Sequence, residues 1–226
     1  MNRTAYTAVK ICGVRSEKAV EALKRLPVDY AGFVFAKSRR QVTPKRAAEL
    51  IAQLHDVQAD ENRPETVGVF VDPTPEQLAK AIELANLDWV QMHGRETPDF
   101  CKMAKEQFGV RVIKVMPVAG STDADSILQS FAPYTDIVDV LMLDTYDPVY
   151  GGGTGRPFRW DILPQVKAWA KSNGLPLFVA GGVREENVRE LIEHYAPDGV
   201  DISSGVETDG QQDPVKMENF VKRVKT

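Results

Sequence analysis

Val9-Lys10-Ile11-Cys12-Gly13 reads as a short strand that stops at a glycine, and the residues after it, Val14-Arg15-Ser16, separate two folds. Side chains alternate along a strand, so Val9 and Ile11 point one way and Lys10 and Cys12 the other. Gly13 frees the backbone to turn. A doubly wound sheet would place a glycine-rich dinucleotide loop here, and Gly13 to Ser16 is not that fingerprint. The same stretch sets a lysine and a thiol on one face at a strand end. Where that face meets a pocket, Lys10 favours the Cys12 thiolate, because a cationic neighbour lowers a thiol pKa. The competing reading is a small buried hydrophobe, the usual state of a free cysteine.

Outward from this stretch the chain alternates short apolar runs with amphipathic segments. The expected strands are Val9 to Cys12, Tyr30 to Phe35, Thr66 to Val71, Asp88 to Met92, Arg111 to Val115, Val138 to Leu143, Leu175 to Ala180 and Gly199 to Ile202. Ser16, Thr43, Thr74, Thr97 and Asp213 read as helix caps, with Pro44, Pro75, Pro98 and Pro214 at first helical positions. Further helices cover Asp123 to Phe131, Trp160 to Lys171 and Glu185 to Tyr195. Eight strands, each followed by a crossover helix, predict a single (β/α)8 TIM barrel spanning residues 1–226 as one domain.

Composition narrows the partners. Of 226 residues, 43% are hydrophobic, which suits a globular chain with a full core. A net charge of −4 and a pI near 5.5 argue against nucleic acid, while a locally positive pocket leaves room for an anionic small molecule. Cys12 and Cys101 form neither a disulfide framework nor a Cys-x-x-Cys metal pair, so a reducing cytoplasm is expected. No apolar run reaches membrane-spanning length, and Met1 to Thr7 lacks the apolar core of a signal peptide. A monomer is the default expectation, with a homodimer left open.

Active sites of such barrels lie at the strand C-terminal ends. There the sequence places Cys12, the Ser38-Arg39-Arg40 turn, Gln91 and His93, Asp144, Gly181-Gly182 and Ser203-Ser204-Gly205. The last two turns match the usual phosphate cradle, in which glycine lets backbone N–H groups approach the anion and serine adds hydroxyl donors. Cys12 and Asp144 are the evident proton-transfer pair, with His93 as an alternative base. Alternation and barrel closure bring Lys10 near Asp201. Arg39 or Arg40 on the rim suits a carboxylate, through paired hydrogen bonds. The glycine-rich stretch Tyr150 to Phe158 is long enough to close over a ligand.

These residues resemble a known family. VKICG at 9–13, GFVF at 32–35, SRRQVTP at 38–44, VGVFV at 67–71, VQMHG at 90–94, LDT at 143–145, GGTG at 152–155, AGGV at 180–183, ENV at 186–188 and VDISSGVE at 200–207 are similar, in order, to the motifs of phosphoribosylanthranilate isomerases. The resemblance implies an enzyme of tryptophan biosynthesis. It would convert N-(5′-phosphoribosyl)anthranilate, a phosphoribosyl substrate, to 1-(2-carboxyphenylamino)-1-deoxyribulose 5-phosphate, an Amadori rearrangement without metal or organic cofactor. It implies Cys12 as general base and Asp144 as general acid, Arg40 near the anthranilate carboxylate, and Gly182, Ser203 and Ser204 in the phosphate cradle. His93, Gly155, Gly181 and Asp201 complete the expected substrate-binding set. Gln41 departs from the pattern, standing where the family usually has an aromatic residue.

The chemistry asks Asp144 to carry a proton when substrate binds and predicts a lowered Cys12 thiol pKa. Three alternatives compete. A histidine-pathway isomerase would need a second phosphate cradle in the first half and an aspartate at position 12, and has neither. A catalytically silent barrel would bind a phosphorylated sugar without turning it over. A Schiff-base enzyme would use Lys10 or Lys114.

Overall fold

The computed structural model describes residues 6–55, 63–145 and 159–226. Eight strands close into a parallel barrel: β1 (Ala8–Cys12), β2 (Tyr30–Val34), β3 (Glu65–Phe70), β4 (Trp89–Met92), β5 (Arg111–Val118), β6 (Val140–Thr145), β7 (Leu177–Val179) and β8 (Gly199–Ile202). Each pairs with its sequence neighbours, and β1 closes on β8 with Lys10 opposite Asp201. Between and after them run α1 (Glu17–Leu23), α2 (Pro44–His55), α3 (Pro75–Ala85), α4 (Pro98–Phe108), α5 (Ala124–Phe131), α6 (Leu163–Ser172), α7 (Glu185–Tyr195) and α8 (Pro214–Lys225). No helix among the described residues is long and apolar enough to cross a membrane.

Local chemistry explains the helix starts. Thr74 accepts from the Gln77 backbone N–H while the Gln77 side chain accepts from Thr74, a reciprocal cap. Ser16, Thr97, Asp123 and Asp213 each accept a backbone N–H from their first turn. Such caps stabilise a helix by about 1 kcal/mol. The helix expected from Trp160 instead opens with a 3-10 turn, Trp160–Ile162, before α6 begins at Leu163. The fifth strand runs three residues further than expected, through Pro117 to Val118, beside Asp144 and Thr145 of β6. A short antiparallel hairpin that the sequence pattern did not reveal, β9 (Glu207–Thr208) with β10 (Gln211–Gln212), follows β8.

Two apolar layers result. Outside the sheet, strand residues such as Ile11 and Leu143 pack against Leu50, Leu78, Val166 and Phe220 of the helices. Inside it, Tyr30, Trp89 and Phe178 meet edge to face, with ring centroids 5.6 Å apart in each contact. Gly199 makes room for this layer, since a Cβ there would lie 2.5 Å from the Phe178 ring.

The opposite end of the barrel carries a repeated clamp. The aspartate just before each even-numbered barrel strand, β2, β4, β6 and β8, accepts a backbone N–H from the odd-numbered strand before it. Asp29 takes Val9 N at 2.7 Å, Asp88 takes Thr66 N at 2.8 Å, Asp139 takes Val112 N at 2.8 Å and Asp198 takes Leu177 N at 2.9 Å. A hydrogen bond to a charged group contributes about 1.5–3 kcal/mol. With one rim clamped in this way, the C-terminal rim is left to chemistry.

Candidate active site

Lys10 is wholly buried and donates from Nζ to Asp201 Oδ1 at 2.8 Å, the pair that alternation and closure predict. Cys12 lies two residues further along the same inward face of β1, buried at the barrel mouth. Gly32 on β2 leaves the space both need: a Cβ there would fall 3.0 Å from Cys12 Sγ and 3.0 Å from Lys10 Nζ. Burial lowers the Lys10 ammonium, but Asp201 and Cys12 outweigh it and hold the group above its ordinary value. The thiol differs from expectation. Burial pushes Cys12 up, Lys10 pulls it down and Asp201 pushes it up again, leaving it raised. Lys10 cannot deliver its full charge to sulfur because Asp201 already claims it.

Across the rim, Asp144 sits at the end of β6 and is one-fifth exposed. Its Oδ2 lies 3.1 Å from His93 Nε2 at the end of β4. His93 Nδ1 in turn lies 3.1 Å from the amide Nε2 of Gln91. Gly181, expected in the phosphate cradle, lies against this group. It has a φ of 75°, and a Cβ on it would fall 2.5 Å from Asp144 Oδ1 and 2.3 Å from Thr145 N. Only glycine permits that approach. Asp201 feels the charges of both Asp144 and His93, so it stands electrostatically between acid and thiol.

Arg40 arches over the end of β1, where a Cβ on Gly13 would fall 2.7 Å from its Cδ. Its guanidinium donates to both oxygens of Glu207, from Nε at 2.6 Å and from Nη2 at 3.1 Å. Arg39 donates to Glu207 as well, at 2.6 Å. Beyond β8, Ser204 begins a short 3-10 turn, Ser204–Val206. The Ser203 hydroxyl beside it is buried without a hydrogen-bond partner. Gly182 has a φ of 69°, and its carbonyl accepts from Asn187 Nδ2 at 2.8 Å. Among the described residues, no three His, Cys, Asp or Glu side chains converge as metal ligands would.

The family model for N-(5′-phosphoribosyl)anthranilate (PRA) isomerase matches residues 9–223. The chain belongs to that family. Its relatives include the N-(5′-phosphoribosyl)anthranilate isomerase of Brevibacillus brevis, 43% identical over 219 residues, covering 97% of this chain and 94% of that one. The phosphoribosyl anthranilate isomerase structure from Thermotoga maritima superposes with a TM-score of 0.80 at 30% identity, covering 97% of this chain and 98% of that one. That Thermotoga protein is dimeric. A further structure of the family, in complex with reduced 1-(o-carboxyphenylamino)-1-deoxyribulose 5-phosphate, has a TM-score of 0.76 at 27% identity and covers 97% and 98% of the two chains.

On this barrel, the residues singled out from sequence gather on one rim, with two qualifications. Gly155 and the stretch Tyr150 to Phe158 lie outside the described residues. Arg40 is held by a carboxylate that sequence reasoning did not single out. Glu207 is part of the quoted VDISSGVE motif, and an acidic residue closing a phosphate-type turn was the available signal. Gln212 was also missed. It comes back from the β9–β10 hairpin to donate to the Cys12 carbonyl at 3.1 Å. Gln41, the departure from the family pattern, donates to the Phe35 carbonyl at 2.9 Å and so ties its own loop.

Proposed function

We propose that this chain, as one catalytic domain over residues 1–226, is an isomerase converting N-(5′-phosphoribosyl)anthranilate to 1-(2-carboxyphenylamino)-1-deoxyribulose 5-phosphate in tryptophan biosynthesis. The observation that carries the reading is a thiol and a carboxyl group at the same barrel mouth, both within the electrostatic reach of Asp201. In this reading protonated Asp144 gives its proton to the ribose ring oxygen. The C1′–O bond breaks, and the anilino nitrogen lone pair forms the C1′=N bond of an iminium. Cys12 then takes the proton on C2′, and the C2′–H electrons collapse to an enolamine that tautomerises to the ketone. A neutral resting thiol fits this order. The iminium supplies a second cation beside Lys10, and opposite charge nearby favours the thiolate at the step that uses it.

Around these two groups, Arg40 meets the anthranilate carboxylate. Gly182, Ser203 and Ser204 bind the phosphate, for which the unpartnered Ser203 hydroxyl is a ready donor, and Gly155 belongs to the substrate-binding set. No metal or organic cofactor enters the steps. The working form we propose is a cytoplasmic monomer with no nucleic-acid or membrane partner. The test is turnover of phosphoribosylanthranilate, followed by loss of its fluorescence, in wild type, Cys12→Ala and Asp144→Ala. Turnover that is nearly abolished in both variants supports the reading. Wild-type binding of the phosphorylated sugar without turnover would mean a silent barrel, and activity surviving in Cys12→Ala would move the base elsewhere.

A further inference from the structure

Gln91 is nearly sealed from solvent, held in the middle of β4 between Val69 of β3 and Ile113 of β5. It presents its amide nitrogen to His93 Nδ1 at 3.1 Å and leaves its own Oε1 buried without a hydrogen-bond partner. An amide nitrogen only donates, so Nδ1 accepts. The neutral ring then carries its proton on Nε2, which points at Asp144 Oδ2 from 3.1 Å. We infer that Gln91 is a positioning residue for the acid step: by donating to Nδ1 it keeps His93 neutral and so keeps the transferable proton on Asp144. This rests on the reading of Asp144 as general acid.

The physical problem that Gln91 solves is one of proton ownership. A free imidazole titrates near 6.5 and a free aspartic acid near 3.9, so an imidazole beside a carboxylic acid ordinarily takes its proton. That transfer would leave an imidazolium paired with a carboxylate that has no proton to give. Nε2 already bears hydrogen, so the proton could enter only at Nδ1. There it would face the N–H of the buried Gln91 amide, donor against donor. Most of the remaining charges nearby are matched. Asp201 on β8 is paired with Lys10 on β1, and Cys12 beside them is a raised, neutral thiol. Behind the wall, Lys114 on β5 donates to Glu96 at 2.8 Å. Asp72, after β3, accepts from the Arg95 backbone at 2.6 Å. Apart from Asp144 and Asp72, whose partner is a backbone N–H, each of these carboxylates is paired with a lysine.

The experiment has a spectroscopic and a kinetic arm. Two-bond proton–nitrogen spectra of the full chain, with His93 assigned by its loss in His93→Gln, report the tautomer directly. The expected wild-type spectrum shows a protonated Nε2 and an unprotonated Nδ1 at pH 7. Gln91→Glu puts an acceptor opposite Nδ1 and is expected to give an imidazolium. Its kcat falls by about tenfold or more, the general-acid contribution being about a hundredfold or greater. KM stays within about twofold, and the basic limb of the kcat profile moves to lower pH. In a His93→Gln background, whose amide still offers Asp144 an N–H, Gln91→Glu should add less than about a twofold loss. Gln91→Met, which carries no buried charge, covers a failure of the glutamate variant to fold and should shift the limb in the same direction. An Nδ1–H tautomer or an imidazolium in the wild type at pH 7 would overturn the inference. So would a Gln91→Glu loss that persists undiminished in the His93→Gln background. The spectrum judges Gln91 even in a chain that fails to turn the substrate over, so the two failures stay distinct.

Discussion

Asp201→Asn tests whether Asp201 withholds the Lys10 charge from the thiol. The variant keeps the size of the side chain and removes one charge from a pair 2.8 Å apart in which Lys10 is fully buried. At an effective dielectric of about 20, the gross attraction over that distance is about 6 kcal/mol. After desolvation, breaking one partner of a buried pair destabilises by about 3–5 kcal/mol. At about 2–4 °C per kcal/mol for a chain of this size, the melting temperature should fall by about 6–20 °C. Because the folded Lys10 value is raised, its stabilisation is present below the ordinary lysine value and is lost only as pH rises through the raised one. The deficit should therefore be complete at neutral pH. Meanwhile the thiol loses an anion that pushes it up, so its pKa should drop. The assay is the pH dependence of alkylation by a small haloacetamide in a Cys101→Ala background, which leaves Cys12 as the only thiol. Wild type should show a reactivity pKa above that of a free thiol, Asp201→Asn a lower one and Lys10→Met a higher one. A value that rises in Asp201→Asn, or falls in Lys10→Met, would refute this account of the thiol.

Burial pushes Cys101 up to about 11 from 9.0, so its contribution to stability is intact below pH 9 and lost as pH climbs to 11. Two units amount to about 2.7 kcal/mol, and urea unfolding at both pH values should show Cys101→Ala losing less than wild type by roughly that amount. Gly181→Ala would drive a Cβ to 2.5 Å from Asp144 Oδ1 at a φ of 75°; kcat should fall more than tenfold, to about the level of a lost acid, and a wild-type kcat would contradict the packing. Asp139→Ala removes a clamp at the far end of the barrel and should lower unfolding stability by about 1.5–3 kcal/mol without changing kcat.

What the sequence made legible follows the range of each signal. Thr74, Thr97 and Asp213 announce helix starts because a cap is satisfied within three residues. The eight strand centres show because each is an apolar run bounded by caps and turns. Placing Cys12, His93, Asp144 and Ser203 at strand ends was enough to gather them on one rim, since the barrel topology does the rest. The β9–β10 hairpin escaped because two-residue strands have no periodicity to read. The Cys12 thiol was misjudged for a different reason. Alternation placed Lys10 beside it correctly, but the sign of the shift depends on burial and on how Asp201 divides the lysine charge. Both are sums over the closed barrel and leave no local trace. Gln91 shows the same limit: its neighbours in sequence say strand, and only the 3.1 Å approach of its Nε2 to Nδ1 in the closed barrel marks its amide as turned toward His93.

The four aspartate clamps join β1 to β2, β3 to β4, β5 to β6 and β7 to β8, dividing the barrel into quarters stitched at the base. Each quarter brings a different part of the chemistry: Cys12 with Lys10, then Gln91 with His93, then Asp144, then Asp201 with Ser203. The proposed acid, Asp144, and the proposed base, Cys12, therefore belong to different halves of the chain. Two fragments divided between β4 and β5 would each be inert, one holding a thiol without an acid and the other an acid without its histidine. Only their reassembly would restore a competent mouth, so turnover doubles as a report on ring closure.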